Sequence, residues 1–400
     1  MEIGKMKKTA IVSCYFQHNY GSMLQAYATQ MVLDKLGYEN ETIDISGFDG
    51  EIKKAKILYF IKASLTSDIL ITKIGRAKDA VVRKLKKNNY TRNVEARDEA
   101  FRRFKKEHFE MSPAYKSKKE LSDNCSRYKA VLVGSDQLWL PGNIAADYYT
   151  LNFVPDEINT VAYATSFGQS SLPKDTTKLA KVFLSKIKHI SVREESGARI
   201  VNNITGRTVP VVCDPTLLFD GKDWMIIQEE APIIEGEYIF VYFLGNNLLH
   251  REFVTRLKKE TNLKVVCLPH IDEYVEADEA CSDIRLYDVD PGQFLNLIRN
   301  AKYVCTDSFH CSAFSIQYEK NFFTFRRFSN TSRQSTNSRL ETLFNMTGIE
   351  DRLIVGNENI KKILTIKTDY SLVRERLRKN IEESYKYLTA ALENQRSTDL

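Results

Sequence analysis

Short, nearly continuous apolar runs constrain the fold of this 400-residue chain more than any other feature. In the first half they end in Gly, Ser, Asp or Arg, and the clearest are "YKAVLVGSD", "NTVAYATSFG", "KHISVRE" and "TVPVVCDP". Such runs predict strands that are covered on both faces, which is typical of a parallel sheet. The polar residues therefore gather at one edge of the predicted sheet, where the strands end.

The second half repeats this alternation from about residue 237. The strand-like runs are "YIFVYFLGNN", "KVVCLPH", "KYVCTDS" and "NFFTFRR", and helix-like stretches such as "PGQFLNLIRNA" separate them. This βαβ series indicates a second doubly wound domain. The predicted fold class is α/β, with two Rossmann-like domains that face a cleft. Ligands bind at the carboxyl ends of the strands in such sheets, so we expect the chemistry in the cleft.

The predicted domain boundaries follow from these patterns. We place an N-terminal Rossmann-like domain over residues 1–225 and a C-terminal one over 230–365. A charged helix within 366–400 is expected to pack back on the first domain. The first domain also carries a basic helical insertion at 51–110.

Positive charge is concentrated in that insertion. Between Glu51 and Lys106 there are 17 Lys and Arg against 6 Asp and Glu, whereas the whole chain has a net charge of +6. One interpretation is a set of solvated helices. The other is a surface that docks on anionic lipid headgroups. Nucleic acid is not expected, because no recognised motif interleaves aromatic residues with these charges.

The composition is that of a soluble globular protein, with 43% hydrophobic and 28% charged residues. Seven cysteines without C-x-x-C spacing favour reduced thiols in a cytosol. The basic residues before the first apolar run faintly imitate a signal peptide, but no cleavage pattern follows. No stretch approaches the length of a transmembrane helix. We therefore expect a cytoplasmic protein.

Polar residues at two strand ends are the first candidates for function. Asp136 should project into the cleft as a general base, and Trp139 could stack on a sugar face. The alternative is that Asp136 caps a turn and Trp139 fills the core. Other candidates for substrate binding at these ends are Ser135, Gln137 and Ser166.

Arg193 ends another strand-like run. Its guanidinium is well shaped for a carboxylate or a phosphate, because it forks two donors in one plane. The alternative is a local pair with Glu194 or Glu195.

The stretch "NYGS" precedes a predicted helix and contains Asn19, Tyr20, Gly21 and Ser22. Backbone N–H groups in such a loop can hold an anion or a sugar hydroxyl. The alternative is a tight turn with Ser22 as the N-cap. The loop lacks the spacing of dinucleotide-binding and Walker loops, so neither ligand is supported.

The stretch "TDSFHCSAF" joins a strand to a helix and contains Asp307, Ser308, His310 and Ser312. The free N–H donors and the positive dipole end of the helix would hold a phosphate, and a histidine beside it can donate a proton. The alternative is a histidine that caps the helix and bonds Asp307. Zinc fails on ligand spacing, so no metal is expected, and a Cys–His nucleophile lacks supporting context.

Seven motifs together resemble those of the polysaccharide pyruvyl transferase family. They run in order from about residue 9 to about 352, interrupted by the basic insertion: "NYGSMLQAYA", "VGSDQLW", "YATSFG", "SVREESGA", "VCDPTLLF", "TDSFHCSAFSI" and "NSRLETLF". The resemblance implies a GT-B-like fold. It also implies transfer of the enolpyruvyl group of phosphoenolpyruvate to two hydroxyls of a glycan, which forms a cyclic pyruvate ketal and releases phosphate.

The resemblance assigns roles by position. His310 resembles the family's active-site histidine, Arg193 its donor-binding arginine, and Asp136 its cleft acid. Arg326 or Arg339 would supply further positive charge. Cys311 departs from the pattern, because a small Gly is common there in relatives.

The resemblance also implies the partners. Phosphoenolpyruvate would be the donor substrate, on the side of the second domain, and no cofactor is expected. The acceptor, on the side of the first domain, would be a glycan of a surface-polysaccharide precursor, with a polyprenyl-diphosphate-linked oligosaccharide as one form. The basic insertion would then hold the enzyme at the inner face of the cell membrane.

Two other functions stay open at this point. A GT-B glycosyltransferase that uses a nucleotide sugar shares the fold, and fold does not fix function. A non-catalytic component of a polysaccharide-assembly complex is the other. The combination of Asp136, Arg193 and His310 argues against that component, because a scaffold does not need it.

Overall fold

The computed structural model describes residues 8–64, 87–271, 274–327 and 337–394. Within these ranges the chain forms two parallel sheets with helices on both faces, so it is an α/β protein with two Rossmann-like domains. The first sheet has the strand order β2-β1-β3-β4-β5. Its strands are β1 (Lys8–Val12), β2 (Asn40–Thr42), β3 (Tyr128–Asp136), β4 (Asn159–Thr165) and β5 (His189–Val192).

The direction of the strand connections determines on which face of the first sheet each helix lies. They are α1 (Tyr20–Lys35), α2 (Asp49–Ser64), α3 (Lys87–His108), α4 (Lys118–Asp123), α5 (Pro141–Ala146), α6 (Lys174–Lys186) and α7 (Glu195–Thr205). The connection from β1 to β2 runs one way across the sheet, and those from β2 through β3 and β4 to β5 run the other way. Because parallel crossovers are right-handed, α1 lies on one face, and α2, α5 and α6 lie on the opposite face.

The second sheet has the order β11-β10-β9-β6-β7-β8 within the described residues. Its strands are β6 (Tyr238–Tyr242), β7 (Lys264–Cys267), β8 (Ile284–Arg285), β9 (Tyr303–Thr306), β10 (Asn321–Phe325) and β11 (Leu353–Ile354). The helices around it are α8 (Leu248–Thr261), α9 (Glu276–Ala280), α10 (Pro291–Asn300), α11 (Phe309–Gln317), α12 (Ser338–Thr347) and α13 (Ile360–Leu364).

The last helix, α14 (Tyr370–Leu392), contacts the first domain. The carbonyl of Ala391 accepts a hydrogen bond from Asn159 at 2.7 Å, and Ser384 Oγ accepts one from the backbone of Cys213 at 2.9 Å. Asp369 caps the helix by accepting from the backbone N–H of Ser371.

One predicted strand is not a strand. The run "TVPVVCDP" makes a single bridge, between Val192 and Val211, and then enters a 3₁₀ helix at Pro215–Leu218. Its two prolines cannot donate to a ladder, which explains why the apolar run does not extend the sheet. The strands β8 and β11 were not predicted, because two residues carry no periodic signal.

The basic insertion contains two long helices, α2 and α3, and its residues 65–86 lie outside the described part. Helix α3 packs against the second domain, so it is not simply solvated. Arg97, which is 2% exposed, donates hydrogen bonds to the carbonyls of Tyr287, Pro269 and Leu286. An arginine of the insertion therefore ties the two domains together.

The two domains share an apolar core. At their junction the ring of Tyr20 stacks on that of Phe294, with centroids 4.4 Å apart. The Tyr20 hydroxyl also donates to the carbonyl of Val289 at 2.8 Å. The junction therefore fixes the start of α1 against the second domain.

Candidate active site

A cavity of about 190 Å³ lies between the two domains, at the carboxyl ends of their strands. The predicted residues that line it are Asn19, Ser22, Asp136, Gln137, Ser308, His310 and Arg339. Residues that were not predicted also line it, among them Cys14, Gln17, Phe309 and Arg327.

Arg193 and His310, which come from different domains, meet beside this cavity. Nη1 of Arg193 lies 3.5 Å from Nε2 of His310. Two carboxylates hold the guanidinium: Asp214 accepts a hydrogen bond from Nη1 at 2.5 Å, and Asp136 accepts one from Nη2 at 3.3 Å. The local pairing considered from the sequence, with Glu194 or Glu195, is therefore not the main contact.

The surroundings of Arg193 keep it charged and rigid. The side chain is 2% exposed, and its guanidinium lies over the ring of Phe309 at 4.5 Å. Burial opposes the charge, but Asp214 and Asp136 outweigh it and raise the pKa of Arg193. The group therefore stays a buried cation beside the cavity, where it contacts the lining residues Asp136 and His310.

His310 lies in the first turn of α11. Ser308 caps this helix by accepting from the backbone of Cys311, so the histidine itself is not the cap. Nε2 of His310 lies 3.4 Å from Oδ2 of Asp214. A Cβ atom on Gly21 would overlap Nδ1 of His310, so glycine is required where α1 passes the imidazole.

Asp136 is held at the end of β3 in a left-handed conformation, with φ of 74°. Its carboxylate accepts a hydrogen bond from Ser22 Oγ at 2.7 Å and lies 3.9 Å from Arg339. Burial alone would raise the pKa of Asp136, but Arg193, His310 and Arg339 lower it to about 2. The carboxylate is therefore ionised throughout the neutral range.

Asp214 is a buried member of the cluster that the sequence analysis did not select. It accepts hydrogen bonds from Ser135 at 2.9 Å and from the side chain of Thr216 at 2.7 Å. Burial would raise its pKa, but His310 and Arg193 hold it well below the usual range. A signal was available, because Asp214 is the polar residue that ends "TVPVVCDP".

The cavity has an excess of guanidinium groups. Among the described residues, Nε of Arg339 and Nε of Arg327 are buried without a hydrogen-bond partner. Burial, and then the charge of Arg193, lower the pKa of Arg339 to about 9, which still leaves it cationic at neutral pH. Each guanidinium has a carboxylate within 4 Å, Asp307 for Arg327 and Asp136 for Arg339. The unsatisfied Nε donors still fit an anion, because buried donors are normally hydrogen-bonded.

Three further predicted residues, Trp139, Tyr20 and Asn19, have different positions in the structure. Trp139 lies in the core, fully buried, and its indole donates to the carbonyl of Tyr149 at 3.0 Å. The expectation that it stacks on a sugar face is therefore corrected. Tyr20 serves the junction between domains, whereas Asn19 caps α1 by accepting from the backbone of Ser22.

Three predicted serines do not line the cavity but make buried hydrogen bonds to residues around it. Ser135 donates to Asp214 at 2.9 Å, and Ser166 donates to Glu194 at 2.8 Å. Ser312 shares a hydrogen bond with Thr324 at 2.7 Å. All three are completely buried.

The remaining two predicted residues also act at a distance from the cavity. Asp307 accepts hydrogen bonds from the backbone of Leu244 and Gly245, at 2.6 and 2.8 Å, and so fixes the loop after β6. Arg326 lies 3.7 Å from Glu341, and its neighbour Arg327 lines the cavity in its place.

The geometry defines the class of protein first: two Rossmann-like domains of GT-B-like arrangement, with a cationic cavity at their shared strand ends. The family follows from the sequence. The model of the family described as polysaccharide pyruvyl transferase matches residues 19–329, and the chain belongs to that family.

Solved structures with a similar fold include two UDP-N-acetylglucosamine 2-epimerases. The one from Rickettsia bellii is 11% identical over 96% of this chain and 98% of its own, with a TM-score of 0.46. The one from Neisseria meningitidis is 11% identical over 95% and 100%, also with a TM-score of 0.46. The glycosyltransferase SnogD from Streptomyces nogalater is 11% identical over 97% and 100%, with a TM-score of 0.41. No curated protein matches the sequence.

Two further features concern the described residues alone. None of their helices combines the length and the apolar character needed to cross a bilayer. No group of three or more His, Cys, Asp or Glu side chains among them is arranged to hold a metal ion.

Proposed function

We propose that this protein transfers the enolpyruvyl group of phosphoenolpyruvate to two hydroxyls of a glycan in a surface-polysaccharide precursor. The products are a cyclic pyruvate ketal and phosphate. The observation that carries this proposal is the small interdomain cavity that Arg339 and His310 line, with Arg193 in contact with His310 beside it. The coarser statement, a transferase of the pyruvyl transferase family, rests on the family match.

Phosphoenolpyruvate suits this cavity because it carries two anionic groups close together. Its phosphate contributes about −1.5 to −2 charges, and its carboxylate adds another. The Nε groups of Arg339 and Arg327 are buried without a hydrogen-bond partner among the described residues, and α11 presents its N-terminal turn to the same space. Guanidinium groups and a helix N-terminus are the usual ligands of such anions.

In the proposed reaction each charged side chain has a distinct role. Asp136 takes the proton from a sugar hydroxyl, and His310 supplies a proton to the methylene carbon or to the departing phosphate. Overall, the C2–O bond to phosphate breaks and two C–O bonds to the glycan form. One hydroxyl proton ends on the methylene carbon, and the other leaves with phosphate. Arg193 and Arg339 hold the donor while C2 passes through an oxocarbenium-like state.

The charge of the donor would also change the pKa of Asp136. Against the effect of burial, Arg193, His310 and Arg339 hold the pKa of this carboxyl at about 2, which makes it a weak base. Two anionic groups bound to Arg193 and Arg339 would offset those cations and raise the pKa of Asp136. Donor binding would therefore prepare Asp136 to accept the hydroxyl proton.

A second cavity, of about 510 Å³, is the proposed place of the acceptor sugar. It shares Gln17, Asn19 and Leu244 with the first cavity. His270 lines it, and Nδ1 of this ring lies 2.7 Å from Asp278. Among the described residues Nε2 of His270 is buried without a partner, so it is available to a sugar hydroxyl.

The size of the first cavity favours a small donor over a nucleotide sugar. Pockets for drug-sized ligands span about 300–1,000 Å³, whereas this cavity has about 190 Å³. A nucleotide-sugar glycosyltransferase would need the second cavity for its donor. The two functions therefore differ in which donor the protein consumes.

The test is to incubate the purified protein with phosphoenolpyruvate and candidate lipid-linked oligosaccharides, then measure phosphate release and the mass of the glycan. We expect phosphate only when glycan is present, and a glycan that gains the mass of pyruvate less water. His310→Ala should abolish both. Consumption of a nucleotide sugar without phosphoenolpyruvate would support the glycosyltransferase, and inactivity with every donor would support the non-catalytic component.

A further inference from the structure

Two helices that are far apart in sequence present apolar side chains to solvent on the same face of the first domain. In α2, Ile57, Leu58 and Ile61 are 57%, 58% and 48% exposed. In α6, Leu179 and Val182 are 49% and 62% exposed. The direction of the strand connections places both helices on the face opposite α1.

The exposed residues of α2 form a continuous outward surface. Positions 57, 58 and 61 are neighbours at helical spacing. The opposite side of the helix is anchored, because Ile52 is buried in the core. Apolar side chains on the solvent side of an anchored helix are thus not needed for the packing of the domain.

Exposed lysines surround these apolar residues on both helices. On α2 they are Lys53 and Lys54, and on α6 they are Lys174, Lys178 and Lys181. The acidic residues of these helices, Asp49, Glu51 and Asp175, all lie in the first turns. Lys53 pairs with Asp49 at 2.5 Å, and the five lysines outnumber these three acidic residues.

Helix α5 links this surface to the cavity. It packs against both α2 and α6, and the ring of Phe60 lies against Gly142 of α5. Leu140, just before α5, and Asn143 within it line the first cavity. Helix α5 therefore lies between the helices of this surface and the proposed active site.

We propose that the outward face of α2 and α6, defined by Ile57, Leu58, Ile61, Leu179, Val182 and the five lysines, docks on an anionic lipid bilayer. Apolar side chains ringed by lysines enter the boundary between headgroups and acyl chains, while the lysines contact anionic headgroups. The charge complementarity favours a membrane over a protein partner. Scattered exposed apolar residues need no such explanation, but these five occupy one helical layer in which lysines outnumber acidic residues.

This inference rests on the proposed function for its purpose. An acceptor glycan on a lipid carrier stays at the membrane surface. An enzyme that docks on the same membrane is therefore confined to the surface on which its acceptor diffuses. The docking surface would raise activity on a lipid-linked acceptor and leave activity on a free glycan unchanged.

Sedimentation with vesicles tests the docking directly. The probes are vesicles of phosphatidylcholine alone and of phosphatidylcholine with phosphatidylglycerol. We expect binding only to the anionic vesicles, and a loss of binding as salt is added. Ile57→Glu combined with Ile61→Glu should weaken binding about tenfold or more, as should Lys53→Glu combined with Lys54→Glu.

A matched control is Leu372→Glu, which changes an apolar residue of similar exposure, 54%, on α14. We expect it to bind vesicles as the unmodified protein does, and all variants to keep the circular dichroism of the folded chain. Equal binding of the α2 variants and the unmodified protein would overturn the inference, as would binding that ignores lipid charge.

Activity on a free glycan separates this failure from failure of the proposed function. A protein that pyruvylates free glycan but does not bind vesicles would refute the docking surface alone. A protein that binds vesicles through α2 but pyruvylates no acceptor would refute the proposed function and keep the surface.

Discussion

Arg339 has a buried Nε that makes no hydrogen bond to any other described residue. Its closest charged partner among the described residues is Asp136, at 3.9 Å, and Arg193 repels it. We expect Arg339→Met to leave the free energy of unfolding unchanged or to raise it by up to about 2 kcal/mol. The same variant should lose most of the thermal stabilisation by phosphoenolpyruvate, as measured by calorimetry.

Arg326→Met is the control for that prediction, because Arg326 lies outside the cavity and 3.7 Å from Glu341. It should keep the stabilisation by phosphoenolpyruvate. If Arg339→Met destabilised the protein in the absence of phosphoenolpyruvate and bound phosphoenolpyruvate normally, the interpretation of Arg339 as a ligand of the donor would be wrong.

Gly21 is a second residue whose role can be tested alone. A methyl group there would overlap Nδ1 of His310, so Gly21→Ala should displace the imidazole from Arg193 and Asp214. We expect turnover to fall about 100-fold or more, since misplaced catalytic groups cost that much. Gly50→Ala is the control, because a Cβ atom at Gly50 meets nothing within 4 Å. Normal turnover by Gly21→Ala would show that the position of His310 does not matter.

The lowered pKa of Asp136 predicts that the protein loses stability in acid. Its pKa is about 2 in the folded protein and about 3.9 in an unfolded chain. A lowered folded pKa contributes stability that is complete above about pH 4 and is lost as the pH falls towards 2. Denaturant titrations between these values should show a steeper loss for the unmodified protein than for Asp136→Asn, by about one proton. Equal slopes would contradict the ionised, cation-held carboxylate.

The sequence could place Asp136, Arg193 and His310 at the cavity or beside it because each follows a predicted strand or opens a predicted helix. The sequence could not show which of several neighbouring residues at one strand end faces the cavity. Arg326 was preferred to Arg327, although neighbours after a strand point in different directions. Trp139 was given a role because tryptophan is rare in the chain, and rarity does not tell which side of a strand end faces the core.

Among the elements, helix α3 differs most from its prediction. Its basic sequence suggested a solvated or lipid-bound helix, yet Arg97 enters the second domain and donates to three of its carbonyls. Periodicity could predict this helix but not its contact, because the partner groups are backbone carbonyls nearly 200 residues away. The exposed apolar face lies on α2 instead.

Arg97→Ala should therefore weaken the connection between the domains. Three carbonyls would lose a charged donor, so we expect the free energy of unfolding to fall by about 3 kcal/mol. Arg102→Ala, on the exposed side of the same helix, should change it by less than about 0.5 kcal/mol. Denaturant titration measures both, and equal effects would mean that Arg97 does not join the domains.

At the scale of the whole molecule, the alternation of strands and helices was enough to predict two Rossmann-like domains. The order of strands in each sheet could not be predicted, because right-handed crossovers fix the face on which a helix lies and not the order of the strands. The junction could not be predicted, since stacking of Tyr20 on Phe294 depends on how two finished domains meet. That junction brings Arg193 of one domain to His310 of the other.

The central claim is that these two residues hold one donor between the domains. The most direct measurement is titration calorimetry of phosphoenolpyruvate with the unmodified protein, Arg193→Lys and His310→Gln. We predict one donor bound per chain, and affinity at least about tenfold weaker in each variant. Unchanged affinity in both variants would contradict the account.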